Sequence, residues 1–206
     1  MFLNALWAIF PVTLAFLVVV LVGKEVFDRL VRRADNRRRV AAIKAIVGEE
    51  LGRNVVTASA LGQALHRIED GIDHNCDVHL SSQSDALEVR TSSKAGGQGT
   101  LTLVSPVRKD AVDQFVMDAA GLDRELFRLM LQWGRAASDL EEVRSDLMVR
   151  AGRSSESQGA QQLKSFASGH VHPVADLRSI FHSGWVYCAP AHAVAAVQGR
   201  RPSPHG

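Results

Sequence analysis

The densest group of chemically capable side chains is Asp73-His74-Asn75-Cys76-Asp77-Val78-His79, with five potential metal ligands in seven residues. His74, Cys76 and His79, completed by Cys188 with His182 or His192 nearby, would supply the nitrogen and sulfur donors of a tetrahedral zinc site. Zinc sites legible in sequence repeat a tight two-residue gap between paired ligands, and this chain has no such repeat. The plainer expectation is a polar loop leaving a helix, with no metal bound. A small membrane-bound enzyme or metal-dependent effector using this loop is the alternative.

Other signatures fail on their neighbours. His66 is followed by Arg67-Ile68-Glu69, without the acidic residue that directly follows a phosphoacceptor histidine, so a solvated helix-surface role is expected. Gly96-Gly97-Gln98-Gly99 lacks the lysine of a phosphate loop and joins strand to strand, which makes it a turn. No Gly-x-Ser-x-Gly elbow occurs. No catalytic residue and no cofactor are therefore expected. The two cysteines, Cys76 and Cys188, are expected as free thiols in a reducing compartment; outside the cell they could pair.

The elements that would position these groups begin with an apolar run. Of the first 23 residues 19 are hydrophobic, and Phe2 to Val22 carries no charge. As a helix these 21 residues would be about 31 Å long, the thickness of a hydrocarbon core. A cleaved signal peptide would need a basic start, a shorter run and a small-x-small cleavage site, so an uncleaved signal-anchor over 1–23 is expected. Pro11 is tolerable in such a span.

Residues 24–39 form a basic juxtamembrane segment. Seven positive residues, among them Arg32, Arg33, Arg37, Arg38 and Arg39, outnumber three negative ones. Lys and Arg beside a span set its orientation, placing the N-terminus outside and the C-terminus in the cytoplasm of a cell-membrane protein. The same five arginines are candidates for lipid headgroups. Nucleic acid is not expected, because the cluster is pinned against the membrane and no aromatic residue lies among Arg32–Arg39 to stack on bases.

Residues 40–151 read as a helical module. Val40, Ile43, Val47, Leu51, Ala58, Leu61, Leu65 and Ile68 recur at helical spacing over 36–69. A second stripe on that helix is small (Ala41, Ala45, Gly48, Gly52, Ser59, Gly62), which is either mediocre propensity or a site of close helix approach. Asn54 is expected at the edge of the apolar stripe, since Glu50 and Thr57 do not make a coiled-coil seam. Alternation in Leu87–Thr91 and Thr100–Val104 predicts a β-hairpin at about 86–104, with a third short strand near 77–81. Ser105-Pro106 reads as the start of a long second helix, split at Gly121 and recapped by Asp123.

The expected fold is therefore mostly α, with α+β as the variant. A single transmembrane helix precedes two long amphipathic helices in an antiparallel hairpin, with the β-hairpin between them. Residues 152–206, rich in Ser, Gln and Gly, are expected to be mostly disordered, with one short helix at about 174–183. The expected role is a single-pass, membrane-anchored interaction, adaptor or regulatory protein. Its partners are the lipid bilayer and a protein, which could be a second copy of the chain.

Overall fold

The computed structural model describes the backbone of residues 2–70, 74–80, 85–93, 100–151 and 157–189, and their side chains except at 2–15, 74–80, 91–93 and 157–158. The elements are α1 (Phe2–Asp70), β1 (His74–Leu80), β2 (Leu87–Ser93), β3 (Thr100–Val104), α2 (Asp110–Leu122), α3 (Arg124–Ala151) and α4 (Ser157–Cys188). The fold is mostly helical with a small antiparallel sheet, as the expected class requires. Two compact units divide the chain, Met1–Ala42 and Ile43–Gly206.

The first unit is the N-terminal part of α1, the same helix that carries the stripe expected over 36–69. Its large apolar side chains from Phe16 to Val31 are exposed. Among the described residues no helix is long and apolar enough to cross a membrane. Residues 2–15, most of the expected anchor, have side chains outside that description.

In the second unit three helices carry the same four-three spacing of inward positions. On α1 these are Ile43, Val47, Glu50, Asn54, Thr57, Leu61, Ala64 and Ile68, all buried. On α3 they are Leu126, Met130, Trp133, Ala137, Leu140, Leu147 and Ala151. On α4 they are Leu163, Ala167, Val174, Phe181 and Cys188. A seven-residue repeat keeps one seam of a helix facing its neighbours along its length.

α4 corrects the expectation of a mostly disordered tail with a short helix at 174–183. It is a helix of 32 residues and contains Pro173. An internal proline costs a helix about 3 kcal/mol. Burial of Leu163, Phe166, Val174 and Phe181 outweighs this, at roughly 1.5–3 kcal/mol for each side chain. The composition hid the first half of the helix because Ser, Gln and Gly there outnumber the inward Leu163, Phe166 and Ala167.

The small stripe on α1 is a site of close approach, and α4 is the helix that approaches. A Cβ on Gly48 would stand 2.9 Å from the Cβ of Cys188, one on Gly52 3.2 Å from Trp185 Cδ1, and one on Gly62 3.6 Å from Val174 Cγ1. The pairs run in opposite directions along the two helices, so α1 and α4 are antiparallel. Gly184 of α4 lies against both Trp133 of α3 and Leu51 of α1. The arrangement is thus a three-helix packing, where an antiparallel pair was expected.

The β-hairpin is present at its expected place, with Leu87 paired to Val104 and Thr91 to Thr100. β1 adds the third strand, in the order β1-β2-β3. Leu87, Val89, Thr102 and Val104 line the buried face, while Leu101 and Leu103 are exposed on the other. Arg67 of α1 donates to Thr102 Oγ1 at 2.6 Å, fastening the sheet to the helix end. Asp85, with φ 50, offers its carbonyl to Arg144 Nη1 at 3.3 Å.

The second helix starts later than Ser105-Pro106 predicts. Residues 105–109 are irregular, and α2 begins at Asp110 without a side-chain cap from its own N-cap residue, Lys109. The recapping at Asp123 is as expected. Its backbone is extended, and its Oδ1 accepts from the amides of Glu125 at 2.9 Å and Leu126 at 3.0 Å.

Candidate functional site

Two groups of polar side chains stand out, and they differ in what they can do. The first is a buried clamp on the segment leading into α2. The Glu50 carboxylate accepts from the amides of Ala111 at 2.8 Å and Val112 at 3.2 Å. These are among the orphan donors of a helix N-terminus, where negative charge is also favoured by the helix dipole. One turn on, Asn54 donates through Nδ2 to the Arg108 carbonyl at 2.6 Å and accepts the Arg108 amide at 2.9 Å. Glu141 of α3 accepts the Val107 amide at 3.2 Å and the Arg144 Nε at 2.9 Å.

Asn54, expected at the stripe edge, is therefore at the centre of the seam. It and Glu50 replace apolar residues there because the polar backbone of Arg108, Ala111 and Val112 lies within hydrogen-bond reach. Among the described residues every buried side-chain nitrogen or oxygen has a hydrogen-bond partner. The clamp is a structural joint: Glu50 and Asn54 are engaged by backbone, and Glu141 by backbone and the Arg144 side chain.

The second group is the exposed arginine cluster of α1. Arg29 pairs with Glu25 at 2.8 Å, and Arg38 reaches Asp35 only at 3.9 Å. Among the described residues no ion pair joins Arg32, Arg33, Arg37 or Arg39, and all four are exposed. These guanidiniums are available to an anionic surface.

The proposed metal ligands are distributed as follows. His74, Cys76 and His79 belong to β1, which begins three residues before the third strand expected near 77–81 and takes in part of the expected loop, and they pair in register with Ser93, Thr91 and Glu88. Their side chains lie outside the described residues, as does His192. Cys188 belongs to the seam between α4 and α1, and His182 is exposed with its ring 5.9 Å from that of Trp185. Among the described residues no three His, Cys, Asp or Glu side chains are grouped to hold a metal. His66 is on the surface, 3.6 Å from Glu69 and 3.5 Å from Asp70.

Cys188 is a free, buried thiol. Desolvation pushes its pKa up from 9.0 to about 11, against a smaller opposing pull from the Lys44 ammonium. Lys44 itself lies 3.9 Å from the centroid of the Tyr187 ring. Only the thiolate is nucleophilic, so alkylation of native Cys188 at pH 8 should be about a hundredfold slower than in the unfolded chain. Time-resolved iodoacetamide labelling with peptide mapping measures this; labelling at the unfolded rate would show that the end of α4 does not pack on α1. The linked effect on stability has the same sign. The raised pKa stabilises the fold at neutral pH relative to pH above 9, and that contribution is lost as pH rises towards 11.

A groove of about 450 Å³ lies between α3 and α4, with Asp139, Glu142, Asp146, Asp176 and His170 on its walls. His170 is engaged there, its Nδ1 2.8 Å from the Phe166 carbonyl and its ring stacked on Phe166 at 4.1 Å. Sequence reasoning missed the clamp. The available signal was the phase of the seam, because Ile43, Val47, Leu61, Ala64 and Ile68 bracket positions 50, 54 and 57. Comparison with protein-family models, curated proteins and solved structures returned no match.

Proposed function

We propose that the chain is a single-pass, membrane-anchored scaffold or adaptor, with α1 as both the anchor and the first helix of the folded module. The observation that carries this reading is the surface of α1 from Phe16 to Val22. Seven consecutive large apolar side chains there are 49–69% exposed. A helix apolar on every side is stable only where something other than water surrounds it. The charge-free sequence from Phe2 onward is long enough to continue that surface across a bilayer. The arginines that follow favour a cytoplasmic module and an N-terminus outside.

The adaptor role is supported by what the second unit does with its polar groups. Glu50, Asn54 and Arg144 are engaged in tertiary bonds. Leu101 and Leu103, each 53% exposed on the outer face of the sheet, remain as apolar groups to offer a protein partner.

Membrane fractionation tests the reading. The full chain should sediment with membranes and resist an alkaline carbonate wash, and deletion of residues 2–23 should release it. A C-terminal alkaline phosphatase fusion should be inactive while a fluorescent-protein fusion is bright. A full-length chain found in the soluble fraction would overturn the proposal.

A further inference from the structure

The arginines of the juxtamembrane segment are not equivalent, because α1 sorts them onto opposite faces. Past the charge-free run the helix stays apolar on one side: Gly23, Val26, Phe27, Leu30, Val31 and Ala34 recur at three- and four-residue steps. Val26, Phe27, Leu30 and Val31 are all exposed, at 42–65%. Arg37 follows Ala34 by three positions and Leu30 by seven, and Arg38 follows Ala34 by four. Both arginines therefore end the apolar stripe on the same face. Arg32 and Arg39 lie five positions beyond Phe27 and Ala34 and so occupy the opposite face.

We infer that the face formed by Phe27, Leu30 and Ala34 lies against the membrane interface, where Arg37 and Arg38 bind the phosphates of anionic phospholipids. This inference rests on the membrane-anchored reading and deepens it. Arg37 follows Val22 by 15 residues, about 22 Å along the unbroken α1, so the helix crosses the bilayer strongly tilted and only its stripe side meets the interface, with acyl chains against the apolar residues and phosphate at the cations. Helical side chains also lean towards the N-terminus, which carries the two guanidiniums back towards the bilayer. Arg37 has no carboxylate partner among the described residues, and the one that Arg38 reaches is 3.9 Å away. A second copy of the chain is a poorer occupant. In a symmetric pair along this stripe each seam residue meets its own counterpart, which would set Arg37 against Arg37.

The full chain, reconstituted into vesicles of phosphatidylcholine alone or mixed equally with phosphatidylglycerol, provides the test. Two double variants remove the same charge from opposite faces: Arg37→Gln with Arg38→Gln, and Arg32→Gln with Arg39→Gln. All four arginines are exposed, so the variants leave the packed unit intact. The readout is the protein's preference for spin-labelled phosphatidylglycerol over spin-labelled phosphatidylcholine at low salt. The Arg37/Arg38 pair should lower it by about fivefold or more, from the usual strength of an arginine at an anionic surface. The Arg32/Arg39 pair should change it by less than twofold.

Equal losses from the two pairs would overturn the inference, leaving only an unoriented cloud of charge. Retention in neutral vesicles without any anionic preference would overturn it while the anchor stands. A chain held by neither vesicle would overturn the anchor itself. Crosslinking of two copies along Phe27 and Leu30, with no lipid preference, would assign the face to self-association.

Discussion

Replacing Gly184 by valine is expected to be the most damaging single change in the second unit. A Cβ at that position would come within 2.6 Å of Trp133 Nε1, 2.7 Å of Trp133 Cε2 and 3.0 Å of Leu51 Cδ1. Trp133 is 2% exposed and Leu51 1%, so neither side chain has solvent to move into. Even alanine should cost about 1–3 kcal/mol by overpacking. Its gain of about 1 kcal/mol in helix propensity offsets only part of that. Valine adds two branches to the same collision and should cost more. Gly169, on the same helix, provides the contrast, because nothing lies within 4 Å of a Cβ added there. Gly169→Ala should therefore stabilise by about 0.5–1 kcal/mol. Denaturant titration of the full chain in detergent compares them; a Gly184→Ala protein as stable as the parent would mean that α4 does not pack at this spot.

Glu50→Ala should be the second largest loss, roughly 2–3 kcal/mol. It strips two acceptor bonds from the buried start of α2, at Ala111 and Val112, and no water has ready access to replace them. The effect should be local as well as global. Hydrogen exchange at the Ala111 and Val112 amides should accelerate before that of the α3 core. Glu50→Gln keeps an acceptor oxygen but loses the charge that favours a helix N-terminus, so its cost should be about half as large. Uniform exchange along α2 in Glu50→Ala, or stability within 0.5 kcal/mol of the parent, would remove the clamp from the account.

These two positions show what could and could not be read from the residues. The Asp123 recap was legible because its donors sit two and three residues away. The hairpin was legible because alternation over five residues sets which face is buried, and register follows from that. Glu50 was not, because its partners are 61 and 62 positions away, and a carboxylate in an apolar series reads as an interruption. Asn54 was misplaced for the same reason, its partner being 54 positions distant. α4 was read only over 174–183, because Ser, Gln and Gly dominate 157–169 and hide the inward Leu163, Phe166 and Ala167, which find their partners only in the packed fold.

The candidate membrane surface divides in the same way. The apolar run, the excess of arginine after it and the lack of a catalytic pattern depend on residue type and near neighbours alone, and the sequence determined them by itself. It also determined the pairing of β2 with β3 and the recap at Asp123, since strand alternation and capping act over a few bonds. Only the tertiary structure decided which helix covers the glycines of α1, why a glutamate and an asparagine belong in its seam, and that the helix expected over 174–183 runs from Ser157 to Cys188. Those outcomes turn on groups brought together from distant parts of the chain. A glycine or a buried polar side chain carries no sign of its partner until the fold supplies one.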